Sequence, residues 1–187
     1  MSKRESDVRK RILETAARLF YGPGYNATGI NQIIEEAGVV KRSLYQHFDS
    51  KTDLLMVYLD TFQDNWYATL GPYLGAFSDP KDKILALFEF RIFYQEKYGF
   101  PGCPFSKINA EIGFDNERIN LRVRQGKDVF RKYILQLVRN AGHKPGPTDD
   151  ELTEMIFLLI EGALNSTAVY KSTDDLRQAK NLVRKFL

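Results

Sequence analysis

The chain has 187 residues, 43% hydrophobic and 27% charged, which suits one large or two small globular domains with a sizeable core. A single cysteine, Cys103, excludes an internal disulfide and fits a reducing compartment. No apolar run approaches a membrane span and the charged N-terminus does not read as a secretory leader, so a cytoplasmic protein without membrane attachment is expected. The net charge is +3, and the residues up to Lys51 carry nine basic against six acidic side chains. The excess therefore falls in the N-terminal part, as in a nucleic-acid-binding module on a neutral body, although a plain solvated surface gives the same small imbalance.

Residues 1 to 6 are polar and are expected to fray, with Lys3 and Arg4 within reach of phosphates. Val8, Ile12, Ala16, Leu19 and Phe20 make one stripe and predict a helix from about Ser6 to Tyr21, stopped by Gly22-Pro23-Gly24. Ile30, Ile33, Ile34 and Ala37 follow at i, i+3, i+4, i+7, with Thr28 placed as an N-cap. Gly38 breaks that run. A second short run has Val40, Leu44 and Phe48 on its inner side and Lys41, Arg42, Tyr45 and Gln46 on its outer side. Two short helices about a tight Ala-Gly turn make a helix-turn-helix, whose second helix carries donors suited to a DNA major groove.

Ser50 to Asp53 reads as a capping box opening a fourth helix that carries Leu54, Leu55, Tyr58, Leu59, Phe62 and Trp66 toward Leu70. Gly71-Pro72 is expected to end or kink it. Asp79-Pro80 opens a fifth helix to about Tyr98, with Ile84, Leu87, Phe88, Ile92 and Phe93 inward. A sixth helix runs from about Pro104 to Ile112, and a seventh from about Arg118 to Ala141. Thr148 to Glu151 is a second capping box, opening an eighth helix to about Tyr170; Ser172 to Asp175 is a third, opening a ninth to Leu187. No stretch alternates as a strand does. The fold class is all-α with about nine helices, divided into a helix-turn-helix domain over residues 1–49 and a second helical domain over 50–187.

Nothing in the chain reads as catalytic. Histidine occurs only as His47 and His143, which leaves no Ser-His-Asp or metal-His cluster, and no Gly-rich phosphate loop is present. No catalytic residue, metal or cofactor is expected. The aromatic residues Phe62, Trp66, Tyr67, Phe88, Phe93, Tyr94, Tyr98, Phe100 and Phe105 make either plain core or the wall of a ligand box. Cys103 precedes a helix that has Lys107 one turn on, and it is either a reactive thiol or an inert buried one. The eighth helix is apolar on more than one face, which calls for a second partner inside the subunit or in another copy.

Gly24-Tyr25, Thr28, Ile33, Ala37-Gly38-Val39, Leu44-Tyr45, Phe48, Lys51 and Leu54-Leu55 together resemble the TetR family of bacterial transcriptional regulators. The resemblance covers about the first third of the chain and fixes many positions without a gap. Val40 departs from it, because the family has Ser, Thr or Ala there, and so a hydroxyl cap for the second short helix is missing. The resemblance implies DNA-backbone contacts from Thr28, Tyr45, His47 and Lys51, and base reading by Lys41, Arg42, Ser43 and Gln46. It also implies an effector pocket among helices four to six, with Phe62, Trp66, Phe88, Tyr94, Cys103 and Phe105 as its residues. A four-helix homodimer interface is implied for the last two helices, with Met155, Leu159, Gly162, Leu182 and Phe186. Gly102-Cys103-Pro104-Phe105, with Asn109 and Glu111, resembles a Gly-Cys segment in the effector domain of one TetR subgroup.

The function expected from this reading is a homodimeric repressor that binds a palindromic double-stranded DNA operator and is released by an apolar or aromatic small molecule. The alternative is a DNA-independent helical carrier, or a thiol-dependent enzyme using Cys103.

Overall fold

The computed structural model describes residues 3–113, 116–142 and 146–187, with side chains from Glu5 onward. His143 and the side chains of Lys3 and Arg4 lie outside the described residues. Nine α-helices and no strand occur among them: α1 (Lys3–Tyr21), α2 (Ile30–Glu36), α3 (Lys41–His47), α4 (Lys51–Gly75), α5 (Pro80–Lys97), α6 (Pro104–Ile112), α7 (Glu117–Ala141), α8 (Asp149–Tyr170) and α9 (Asp174–Arg184). The helices pack into two units. One takes the chain up to Asp64 together with Pro104–Val123, and the other takes Asn65–Cys103 and Arg124–Leu187. α4 and α7 each contribute residues to both. The unit around the helix-turn-helix thus extends past residue 49 to include the start of α4, all of α6 and the start of α7.

Four local expectations need correction. α1 already begins at Lys3, and Ser6 lies within it rather than before it; Glu5 in its first turn offsets the positive end of the helix. α4 does not end at Gly71-Pro72 but continues to Gly75. Pro72 removes only the partner of the Ala68 carbonyl, and Ala68 is exposed, so water can take that bond. The box at Ser172 to Asp175 does not close: Ser172 Oγ accepts the Asp174 N–H at 3.1 Å, but the N-cap of α9 is Thr173, whose hydroxyl donates to Glu96 at 2.8 Å and makes no cap bond. α9 also stops at Arg184 instead of running to Leu187.

The other starts form as read. The Asp53 N–H donates to Ser50 Oγ at 3.0 Å, and the Lys81 N–H donates to Asp79 Oδ1 at 2.8 Å. Thr148 and Glu151 make the full reciprocal capping box.

In the first unit, Ile12, Ala16, Leu19 and Phe20 of α1 are buried together with Ile33 of α2, Leu44 of α3 and Leu54, Leu55, Tyr58 and Leu59 of α4. These are the i, i+3, i+4 stripes read from the sequence, closed on one another. In the second unit α5 is buried on most of its circumference, including Ile84, Leu87, Phe88, Phe90, Arg91 and Gln95. Phe93, expected inward, is 57% exposed. At about 100° per residue it lies roughly 140° round the helix from Phe88, on the opposite side. α8 is long and apolar enough by composition to cross a membrane, with mean hydropathy 1.3 and 44% of that window buried. Its Leu152, Ile156, Ile160 and Ala163 are buried, as are Leu176, Ala179 and Val183 of α9, the helix it packs against.

Candidate nucleic-acid interface

The turn between α2 and α3 is Ala37-Gly38-Val39. Gly38 has φ +62°, a left-handed conformation that a β-carbon disfavours, so glycine sets the angle between the two helices. Arg11 Nη1 donates to the Gly38 carbonyl at 3.5 Å, and Arg18 of α1 pairs with Glu36 at the end of α2. Arg18, with Gln32, holds the Glu36 carboxyl below its ordinary value. The two short helices are thus fastened to α1 from outside the turn as well as through the core.

Leu44 and Phe48 are buried and anchor α3. Lys41, Arg42 and Gln46 are exposed, and Tyr45 is 42% exposed. Ser43 and His47 are half-buried. Four side chains with donor groups therefore leave one helix on its solvent face. Val40 was expected on the inner side, but it is 67% exposed and serves as the N-cap with no side-chain hydrogen bond. The start of α3 is therefore set by Leu44 and Phe48, not by Val40.

Thr28 is not the N-cap of α2; that position is Gly29. Thr28 is 1% exposed, and its hydroxyl donates to Gly24 O at 2.6 Å and lies 3.3 Å from Leu19 O. Its side chain ties the loop before α2 to the end of α1.

Lys51 stands at the start of α4 with its Nζ 4.1 Å above the Tyr25 ring, whose hydroxyl lies 3.3 Å from Thr52 Oγ1. Burial pulls the Lys51 ammonium below its ordinary value, and the Glu111 carboxylate works against that shift.

Two groups of residues supporting this surface were not found from the sequence. Arg9 of α1 stacks on Phe48, 5.3 Å from the ring centroid. From α6, Lys107 Nζ donates to Tyr21 O and Gly22 O, each at 2.7 Å, and closes the last carbonyls of α1. Glu111 Oε2 accepts the Asn26 N–H at 2.8 Å, and Asn26 Nδ2 donates to the Glu111 carbonyl at 2.6 Å. The separation is 85 residues or more, and no local pattern marks such a pairing.

The residues expected to meet an effector belong to both units. Phe62 and Phe105, in the first unit, meet edge to face at 6.3 Å. Trp66, in the second, packs edge-on against Phe90 at 4.7 Å and Tyr94 at 5.1 Å. Arg91 is 8% exposed, with its guanidinium 3.9 Å over Trp66 and 4.5 Å over Phe130. Arg91, buried on α5, was the residue missed there. Nearby Tyr67 packs on Tyr133, and burial pushes the Tyr67 hydroxyl up to about 12. Phe88 is fully buried. A cleft of about 440 Å³ in the second unit is walled by Tyr73, Phe90, Ile92 and Phe93 with Glu89 and Arg177.

Of the interface residues expected on α8 and α9, Leu159, Gly162 and Leu182 line one shallow groove with the exposed Leu158. Met155 is half-buried and Phe186 is exposed. Among the described residues no group of His, Cys, Asp and Glu is placed to hold a metal.

Known proteins share this arrangement. A family model described as bacterial regulatory proteins, tetR family, matches residues 12–56, from α1 into α4. The transcriptional regulator LmrA of Bacillus subtilis is 27% identical over 89% of this chain and 90% of its own. The transcriptional activator FasR of Mycolicibacterium smegmatis is 35% identical over 43% of this chain and 37% of its own. A TetR-family regulator from Streptomyces coelicolor superposes with a TM-score of 0.86 at 25% identity, covering 97% of this chain and 96% of its own. Together they support a ligand-responsive DNA-binding regulator in general terms.

Proposed function

We propose that this chain, which has the fold of TetR-family transcriptional regulators and homology to them, is a homodimeric repressor that binds a palindromic operator and is released by a small-molecule effector. The observation that carries the reading is α3 itself. Leu44 and Phe48 fix it to the core, while Lys41, Arg42, Tyr45 and Gln46 face solvent. Lysine and arginine match guanine in the major groove and glutamine matches adenine, while Tyr45, His47 and Lys51 supply backbone contacts. Ser43 completes the reading face. Two copies then place two such helices about one DNA turn apart, roughly 34–36 Å.

The second copy is proposed to dock through Met155, Leu159, Gly162, Leu182 and Phe186, where α8 and α9 leave apolar groups uncovered. The proposed effector is apolar or aromatic, in keeping with the rings of Phe62, Trp66, Phe88, Tyr94 and Phe105, with Cys103 beside them in the sequence pattern. In the Gly-Cys segment, Gly102 has φ +75°, where a side chain is strained, and a Cβ there would lie 3.2 Å from Ala168 Cβ.

The test is electrophoretic shift with the DNA flanking the chain's own gene, followed by transcription from that template. A salt-sensitive shift with reduced transcription supports a repressor. Raised transcription gives the opposite sign, and no shift on any flanking DNA removes the reading.

A further inference from the structure

Val129, Lys132, Tyr133 and Gln136 follow one another on α7 at i, i+3, i+4 and i+7, a spacing that puts them on one face. Tyr67 of α4 meets that face, its ring tilted 55° to that of Tyr133 with centroids 5.3 Å apart. These residues line a cleft of about 340 Å³, within the range of small-molecule sites. All of them belong to the second unit. None of the residues proposed for the effector is among them.

The charge of the cleft has one sign. No carboxylate lines it, and Lys132 is exposed at its edge. Other cations of α7 are paired: Arg118 with Asp53, Arg122 with Asp60, Lys127 with Glu161 and Arg131 with Glu154. Lys127 Nζ also lies 3.2 Å from the half-buried Cys103 Sγ. Asp128, one turn before Lys132, is engaged with Arg131. Among the described residues no carboxylate pairs with Lys132. Gln136 adds an amide donor, and the two tyrosines add hydroxyls. Burial pushes the Tyr67 hydroxyl up to about 12 and raises that of Tyr133. Both stay protonated at neutral pH and bring donors without negative charge. The Arg91 guanidinium works against the Tyr67 shift, so a second positive charge acts on that side chain.

We propose that this cleft is a further ligand site and that it takes a small aromatic monocarboxylate. The ligand's ring joins the tilted pair of Tyr67 and Tyr133, and its carboxylate accepts from Lys132 with Gln136 beside it. A single lysine without a guanidinium fork suits one negative charge rather than a phosphate dianion. An alkylammonium would meet Lys132 as a like charge. The site does not depend on the DNA-binding reading, and its test uses no DNA.

The full-length chain is titrated with phenylacetate, 2-phenylethanol and phenethylamine, probes of similar shape and three charges. Saturation-transfer NMR on the probe signals gives each affinity. Phenylacetate should bind, and 2-phenylethanol should bind roughly 5–10-fold more weakly, the margin of a charge-assisted over a neutral hydrogen bond. Phenethylamine should be the weakest of the three. Lys132→Gln, at an exposed position, should cost phenylacetate the same factor and leave 2-phenylethanol unchanged. Val129 is 40% exposed, so Val129→Trp has room to fill the cleft from its rim and should remove binding of both. Each variant is compared with a thermal melt matching the wild type. No phenylacetate binding up to about 10 mM, above the millimolar affinity open to a ligand of this size, would overturn the proposal. So would equal affinities for the three probes, or phenylacetate binding undiminished in Lys132→Gln.

Discussion

Replacing Gly24 by alanine tests whether α6 holds the loop before the helix-turn-helix. Gly24 has φ +116°, where an L-residue is strained by about 1–3 kcal/mol. A Cβ there would stand 2.6 Å from Glu111 Oε1 and 2.9 Å from its Cδ and Oε2. The carboxylate must move, and the same carboxylate accepts the Asn26 N–H at 2.8 Å. A charge-assisted bond of that kind contributes about 1.5–3 kcal/mol when buried, and roughly 1 is reasonable at this exposed loop. Gly24→Ala should therefore destabilise the first unit by about 2–4 kcal/mol, the sum of these strain and hydrogen-bond costs. Urea unfolding followed by the helical circular dichroism signal measures it. Repeating the measurement in a Glu111→Ala background separates the two parts, because only the strain remains once the carboxylate is gone. The cycle should show a coupling of about 1 kcal/mol. Gly24→Ala within about 0.5 kcal/mol of wild type would refute the strain argument, since surface changes of no consequence fall in that range. A coupling of zero would refute the contact.

Arg42→Ala and Tyr45→Ala should each weaken operator binding by about 1–3 kcal/mol while the unfolding curve stays in place, because neither side chain is part of the core; unchanged affinity in the folded double variant would remove the recognition surface. Wild-type protein should sediment as a dimer at micromolar concentration, and Leu159→Glu with Phe186→Glu should yield monomers; a wild-type monomer contradicts the proposed interface. Trp66 is the one tryptophan, so titration with aromatic compounds should change its emission and operator affinity together. An emission change at saturation with constant affinity would show that binding and release are not linked. Acid should weaken the fold through Glu36, Asp53 and Glu151, whose carboxyls all sit below their ordinary values. The causes are Arg18 for Glu36, Ser50 with Arg118 for Asp53, and Thr148 for Glu151. A depressed carboxyl favours the folded chain above its unfolded value, and that contribution disappears as pH falls through the folded value. Thermal melts between about pH 5 and about pH 3 should therefore fall less steeply for Glu151→Gln than for wild type; equal slopes would show that the capping carboxylate is not part of the acid response.

The alternation of apolar groups every three or four residues was enough to place all nine described helices, several of them within a residue or two of their ends. Local chemistry placed the starts at Ser50, Asp79 and Thr148, since a cap involves atoms only two or three residues apart. The same logic failed at Thr28 and at Ser172. In each case the residue that follows is the N-cap, Gly29 and Thr173, although Ser172 Oγ still accepts the Asp174 N–H. The Thr28 hydroxyl is turned to Gly24 O and that of Thr173 to Glu96, and which contacts a hydroxyl makes depends on what the fold brings close.

The helix-turn-helix could be read from the chain because its residues run without interruption from Thr28 to Lys51, so sequence spacing is also spatial spacing. What holds it could not be read in that way. Glu111 and Lys107 reach residues 21, 22 and 26 across at least 85 positions, and Lys127 reaches Cys103 from another helix. Phe93 and Val40 fit the apolar pattern, yet both are exposed, because periodicity gives a face and not the neighbour that covers it. Arg91 fits no pattern and is buried, because two aromatic rings from α4 and α7 close over its guanidinium. The sequence by itself determined the helices, their caps where the contacts are local, and the side chains offered by α3. Only the tertiary structure decided which of the remaining polar groups meet, because those contacts join residues that the chain keeps far apart.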